Sequence, residues 1–83
     1  MNGMPEESNI IAKTILAEVF DMPIDQIKND ANIESIDEWD SLAHVQVVTR
    51  LEKFINRSLD IDELIETVNL QGIKMVIEKS KSE

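Results

Sequence analysis

The chain has 83 residues and a formal net charge of -9, from 17 acidic and 8 basic side chains, with one histidine and no cysteine. Its length suits one small domain, and its acidity excludes a nucleic-acid footprint and disfavours an anionic membrane surface. Without thiols there is neither a disulfide framework nor a thiolate metal site.

An apolar share of 42%, with only two glycines and two prolines, predicts a compact helical domain. Its expected stability is on the order of 5 kcal/mol, the low end for globular proteins. The opening MNGMPEESNI lacks the basic start and apolar run of a secretory leader. No stretch reaches the ~20 apolar residues of a membrane span. The expectation is a cytoplasmic monomer without stable membrane insertion.

In chain order, Pro5-Glu6-Glu7-Ser8 reads as a helix start, with proline and acid in the first turn. Ile11, Ile15, Leu16 and Val19 follow at helical spacing, so a first helix is predicted from about Glu6 to Phe20. Pro23 prevents its continuation. Residues 21–40 form a long connection, with one short helical turn at 23–27 expected to point Ile24 and Ile27 inward. Ile33 and Ile36 should pin the rest to the core. A loop of this length in a small domain is usually functional or well packed.

Asp40 is the expected N-cap of a second helix, without a capping box because Ala43 stands where Glu or Gln would complete one. Leu42, Val45, Val48, Leu51 and Ile55 read as one apolar stripe, widened by Val47 and Phe54. Asn56 suits a left-handed C-terminal position. Leu59 and Ile61 lead into a short helix, Asp62-Glu63-Leu64-Ile65-Glu66, with acid in its first turn. Thr67 or Asn69 caps a last helix whose inner face is Leu70, Ile73, Val76 and Ile77. Ser80 to Glu83 is expected to fray. The predicted fold is all-α: a small four-helix bundle of three longer helices and a short one, with a long loop between the first and second.

Asp40-Ser41-Leu42 carries the strongest functional signal. A serine at a helix start has its hydroxyl in solvent beside unpaired backbone N–H groups and the positive end of the helix dipole, a good place for a phosphate. The chain has little chemistry of its own: one histidine and no cysteine make no base–nucleophile–orienter set. It is therefore read as a non-enzymatic protein loaded with a phosphate-linked group.

Glu38-Trp39-Asp40-Ser41-Leu42, the valine-rich helix after it, Asp60-Ile61-Asp62-Glu63-Leu64 and Thr67-Val68 together resemble an acyl carrier protein, over nearly the whole chain. The likeness is to stand-alone or biosynthetic-cluster members more than to the fatty-acid-synthase type. It implies one acyl-carrier-like domain over residues 1–83, with an ordered core of about 6–79. It further implies covalent 4′-phosphopantetheine, derived from coenzyme A, on Ser41, with Asp40 and Leu42 in the recognition motif. The arm's thiol would hold an acyl or aminoacyl group as a thioester. The implied partners are a phosphopantetheinyl transferase, an acyl- or aminoacyl-loading ligase and a downstream transferase or synthase. Leu42 is read either as exposed to those partners or as core.

The second helix departs from the acid-studded fatty-acid pattern, with Glu52 as its one acidic residue. Arg50, Lys53 and Arg57 lie three and seven residues apart and are expected on one face, either for a less basic partner or as complements to the helix C-terminus. Acid gathers instead at Asp37 and Glu38 and at Asp62 and Glu63, all candidate partner contacts. Trp39 is read as a staple packed back on the helix or a partner hot spot. His44 is read as a surface contact to Asp40, and also as a partner contact. Val48, Ile61 and Val68 are read as core; the resemblance adds a role lining an acyl groove. Two other readings compete. A calcium loop at 30–41 fails at its sixth and twelfth positions, Ser35 and Ser41. An acidic helical adaptor without prosthetic group would have no need of a serine poised at that helix start.

Overall fold

The computed structural model describes residues 4–81. Four α-helices follow in order: α1 (Met4–Phe20), α2 (Ser41–Ile55), α3 (Ile61–Glu66) and α4 (Leu70–Lys81), with one 3-10 turn (Ile24–Gln26) between α1 and α2. The architecture is thus the expected four-helix bundle of three longer helices, a short one and a long first connection.

Each helix end has a local cause. After α1, Asp21 takes a left-handed backbone (φ 55°), and the Met22 N–H donates to the Ala17 carbonyl at 3.0 Å. That is a Schellman closure, sealed by Pro23. Asn56 closes α2 in the same left-handed region (φ 61°). Asp60 caps α3 in a reciprocal box: its Oδ1 accepts the Glu63 N–H at 2.9 Å and Glu63 Oε1 accepts the Asp60 N–H at 3.0 Å. Asn69 caps α4 through Gly72 N–H at 2.7 Å, whereas the Thr67 hydroxyl donates back to the Leu64 carbonyl and ends α3.

The core is built mainly by α1 on α4, with α2 packed across them. Ala12, Ile15 and Leu16 meet Leu70, Ile73, Val76 and Ile77, all buried. Full burial of each aliphatic side chain stabilises by roughly 1.5–3 kcal/mol. Gly72 permits a close crossing: a Cβ there would fall 1.6 Å from the Glu66 carbonyl oxygen.

Three expectations are corrected. On α2 the core-facing row is Val47 and Leu51, buried, with Val48 and Ile55 packed beside them; Leu42, Val45 and Phe54 are exposed. The helix is covered on one side only, and the row spaced by four residues, not the row spaced by three, is the one that meets α1 and α4. Ile24 points to solvent, and of its turn only Ile27 is buried. Ser80 and Lys81 continue α4 rather than fraying: the Ser80 hydroxyl donates to the Val76 carbonyl at 2.9 Å, and Lys81 pairs with Glu7 at 2.7 Å. The rest of that expected tail lies outside the described residues.

The long connection is well packed. Ile27, Ala31 and Trp39 are buried, and Ile33 and Ile36 lie against the core. An isolated antiparallel bridge joins Asn32 to Asn69, with the Ile33 N–H on the Val68 carbonyl and the Leu70 N–H on the Ala31 carbonyl, both 2.9 Å. The loop is therefore tied to the α3–α4 junction by backbone bonds that do not depend on side-chain identity. It delivers the chain to α2 in a fixed position.

Candidate functional site

The start of α2 is built from that loop. Trp39 is 2% exposed, and its N–H donates to the Ile36 carbonyl at 3.0 Å. Asp40 is then extended (φ -95°, ψ -172°) and turns the chain into the helix. Its Oδ1 accepts the Ala43 N–H at 2.9 Å, and its carbonyl accepts the His44 N–H at 2.9 Å. The N–H groups of Ser41 and Leu42, the first two of the helix, have no acceptor within it.

Ser41 is exposed. Among the described residues its hydroxyl has no hydrogen-bond partner, in contrast to Ser35 and Ser80, whose hydroxyls are bonded to backbone carbonyls. Leu42 is 70% exposed, which resolves its two readings toward the surface. Asp40, Ser41 and Leu42 thus stand together at a solvent-facing helix end, with Asp37 and Glu38 exposed on the loop before them.

Trp39 is a buried staple and offers no surface to a partner. It stacks against Phe20 of α1, ring centroids 5.6 Å apart, and its Nε1–H donates to His44 Nδ1 at 3.0 Å. The half-buried His44 ring is therefore bonded to the indole, and its contact with Asp40, expected from the spacing, runs through the His44 backbone N–H. Burial pushes its pKa below the usual imidazole range.

The expected cationic face forms only in part: Arg50 and Lys53 stand together beside α1, and Arg57 does not join them. Arg50 pairs with Glu18 of α1 at 3.1 Å, and Lys53 is exposed. Arg57 lies past the end of α2 and turns the other way, to Glu63, because the left-handed Asn56 redirects the chain. Glu63 is 2% exposed, so it is an internal anchor and not a partner contact. Its two carboxylate oxygens accept from Arg57 at 2.8 and 2.7 Å, and Lys79 of α4 stands 3.6 Å away. The Arg57 hydrogen bonds, opposed by burial and aided by the Asp60 N–H and the Arg57 and Lys79 charges, lower its pKa to about 2. Asp62 is exposed.

Val48 and Val68 are half-buried, whereas Ile61 is 73% exposed and is not part of the core. An apolar groove of about 390 Å³ lies elsewhere, between α1 and α2, with Ile10, Ile15 and Phe54 on its walls and Arg50 and Lys53 at its rim. None of Val48, Ile61 and Val68 lines it.

Two features went unread in the sequence. Asp60-x-x-Glu63 carried the capping-box pattern in plain view. The Trp39–His44 contact joins the residue before the N-cap to the fourth helical residue, the pair that a staple brings together; only the hydrogen bond between them, with the indole donating to Nδ1, had no signal. No helix among the described residues is long and apolar enough to cross a membrane. A family model described as PP-binding, phosphopantetheine attachment site, matches residues 12–74, from α1 into α4 and well over half of the chain. No curated protein matches.

Proposed function

Since the chain belongs to the phosphopantetheine attachment-site family, whose domains carry covalent 4′-phosphopantetheine, we propose that Ser41 is the residue that takes the arm. The exposed, unbonded Ser41 hydroxyl at the start of α2 carries this reading. The residues fit the group: Ser41 Oγ is open to attack on phosphorus, and two free backbone N–H groups beside it suit phosphate oxygens.

In loading, Ser41 Oγ forms the new bond to the β-phosphorus of coenzyme A. The bond from that phosphorus to the 3′,5′-ADP portion breaks, and the hydroxyl proton passes to a base of the transferase. Asp40 holds the helix start in shape through Ala43, so Ser41 is presented without local unfolding. When bound, the arm supplies the thiol that this chain lacks, on which an acyl or aminoacyl group rides as a thioester.

The chain then serves as a carrier, in one bundle domain, for a transferase, a loading ligase and a downstream acceptor enzyme in a specialised cytoplasmic pathway. The exposed faces of α2 and α3 and the loop before Ser41 favour partners with an apolar contact and a basic rim. Leu42 and Val45 on α2 and Ile61 and Ile65 on α3 are exposed, among Asp37, Glu38, Asp40, Asp60, Asp62 and Glu66. Arg50 and Arg57 are engaged within the molecule, with Glu18 and Glu63.

The test is intact mass after incubation with coenzyme A and a broad-specificity phosphopantetheinyl transferase, with Ser41→Ala alongside. A gain of one phosphopantetheine on the wild type alone supports the assignment. A gain on the variant refutes it.

A further inference from the structure

The Trp39–His44 pair goes beyond what a helix start requires. The indole Nε1–H donates to His44 Nδ1 at 3.0 Å, and Phe20 of α1 packs against the same indole. An indole N–H can only donate, so Nδ1 is the acceptor and the neutral ring carries its proton on Nε2. Trp39 is buried, so the tautomer is set by tertiary packing and not by solvent. Nε2 lies across the ring from the bonded nitrogen, and the ring is half-buried, so the Nε2–H is turned away from the indole.

His44 stands three residues after Ser41, which makes them neighbours on the helix surface. Long side chains on a helix lean back over the preceding turn, and here that turn begins at Ser41. The surroundings are poor in groups that favour a phosphate: Asp37, Glu38 and Asp40 are all acidic, and the Arg50 and Lys53 cations lie further along α2. An anion at Ser41 therefore depends on neutral donors.

We propose that His44 is a positioning residue for the phosphodiester on Ser41, donating its Nε2–H to a non-bridging phosphate oxygen, with Trp39 holding the ring in the orientation and tautomer this needs. The inference rests on the Ser41 assignment. It gives the first segment of the arm a preferred direction along α2 and accounts for a histidine in the first turn of that helix, which holds no acidic residue.

The experiment is nitrogen-15 NMR of the His44 ring, with phosphorus-31 NMR, in the unmodified and the loaded protein, the site of loading being checked by mass. The expected result is an Nε2–H tautomer in both forms. On loading, the His44 titration midpoint should rise by about half a pH unit or more, because a nearby anion favours the imidazolium. Asp37, Glu38 and Asp40, the acidic residues before and at the helix start, are present in both forms, so the difference isolates the phosphate. The phosphorus resonance should inflect at the His44 midpoint in the wild type and lose that inflection in His44→Gln. In Trp39→Phe, with helicity confirmed by circular dichroism, the rise on loading should shrink by at least half. A midpoint unmoved by loading, with mass confirming modification at Ser41, overturns the proposal. Modification at another residue overturns the Ser41 assignment, and this inference with it.

Discussion

Replacing Glu63 by Gln should loosen the junction of α2, α3 and α4. The wild-type carboxylate accepts two short bonds from Arg57, lies 3.6 Å from Lys79 and accepts the Asp60 N–H that completes the cap of α3. Bonds to an ionised group contribute roughly 1.5–3 kcal/mol each. The lower end applies here, because the Arg57 and Lys79 side chains are 28% and 59% exposed and regain water when the charge is removed. The glutamine oxygen can keep the capping bond, so the expected loss is about 2–3 kcal/mol at pH 7, or roughly 10–20 °C in Tm for a domain of this size. Urea denaturation followed by circular dichroism measures it. The pH dependence has a definite sign. The pKa of Glu63 falls from 4.5 to about 2 on folding, so its contribution is present above 4.5 and is lost as pH falls toward 2. Glutamine does not titrate, so the gap between wild type and variant should narrow over that window and stay constant above it. A loss under about 0.5 kcal/mol at pH 7, the range of an ordinary surface change, or a gap unaffected by acid, would refute the reasoning.

Leu51 is fully buried, and Leu51→Ala should cost roughly 2–5 kcal/mol in the same assay. Gly72→Ala drives a methyl group into the Glu66 carbonyl and should cost about 1–3 kcal/mol through a displaced backbone. Asp40→Ala removes the bond to the Ala43 N–H and should cost about 1 kcal/mol, with slower loading by the transferase. Leu42→Asp, at an exposed position, should change stability by under about 0.5 kcal/mol while raising the KM of the transferase for this chain.

Much of the fold was legible because its signals are local. The inner face of α4, the Asn56 closure and the Asp40 cap each depend on a few consecutive residues, and each appears where its pattern predicts. The rotation of α2 was not legible. Leu42, Val45, Val47, Val48, Leu51 and Phe54 surround more than half of the helix, so periodicity admits two inward faces, and only the placement of α1 and α4 selects Val47 and Leu51. The charged residues misled for a related reason. Spacing along a helix put Arg57 with Arg50 and Lys53, but the helix ends at Ile55 and the backbone beyond it turns Arg57 onto Glu63.

At the site the same division holds. A serine after a capping aspartate, ahead of an amphipathic run, is enough to place a hydroxyl beside the unpaired N–H groups of a helix start, since capping and helix geometry are properties of neighbouring residues. The sequence by itself thus determined the helices, most of their ends and the exposed serine at the start of α2. The tertiary structure alone decided which apolar residues stay in water, that Glu63 is an internal anchor, and that Phe20 of α1 backs the indole whose N–H meets His44. Those outcomes depend on contacts between segments distant in the chain or redirected at a bend, which no periodicity encodes.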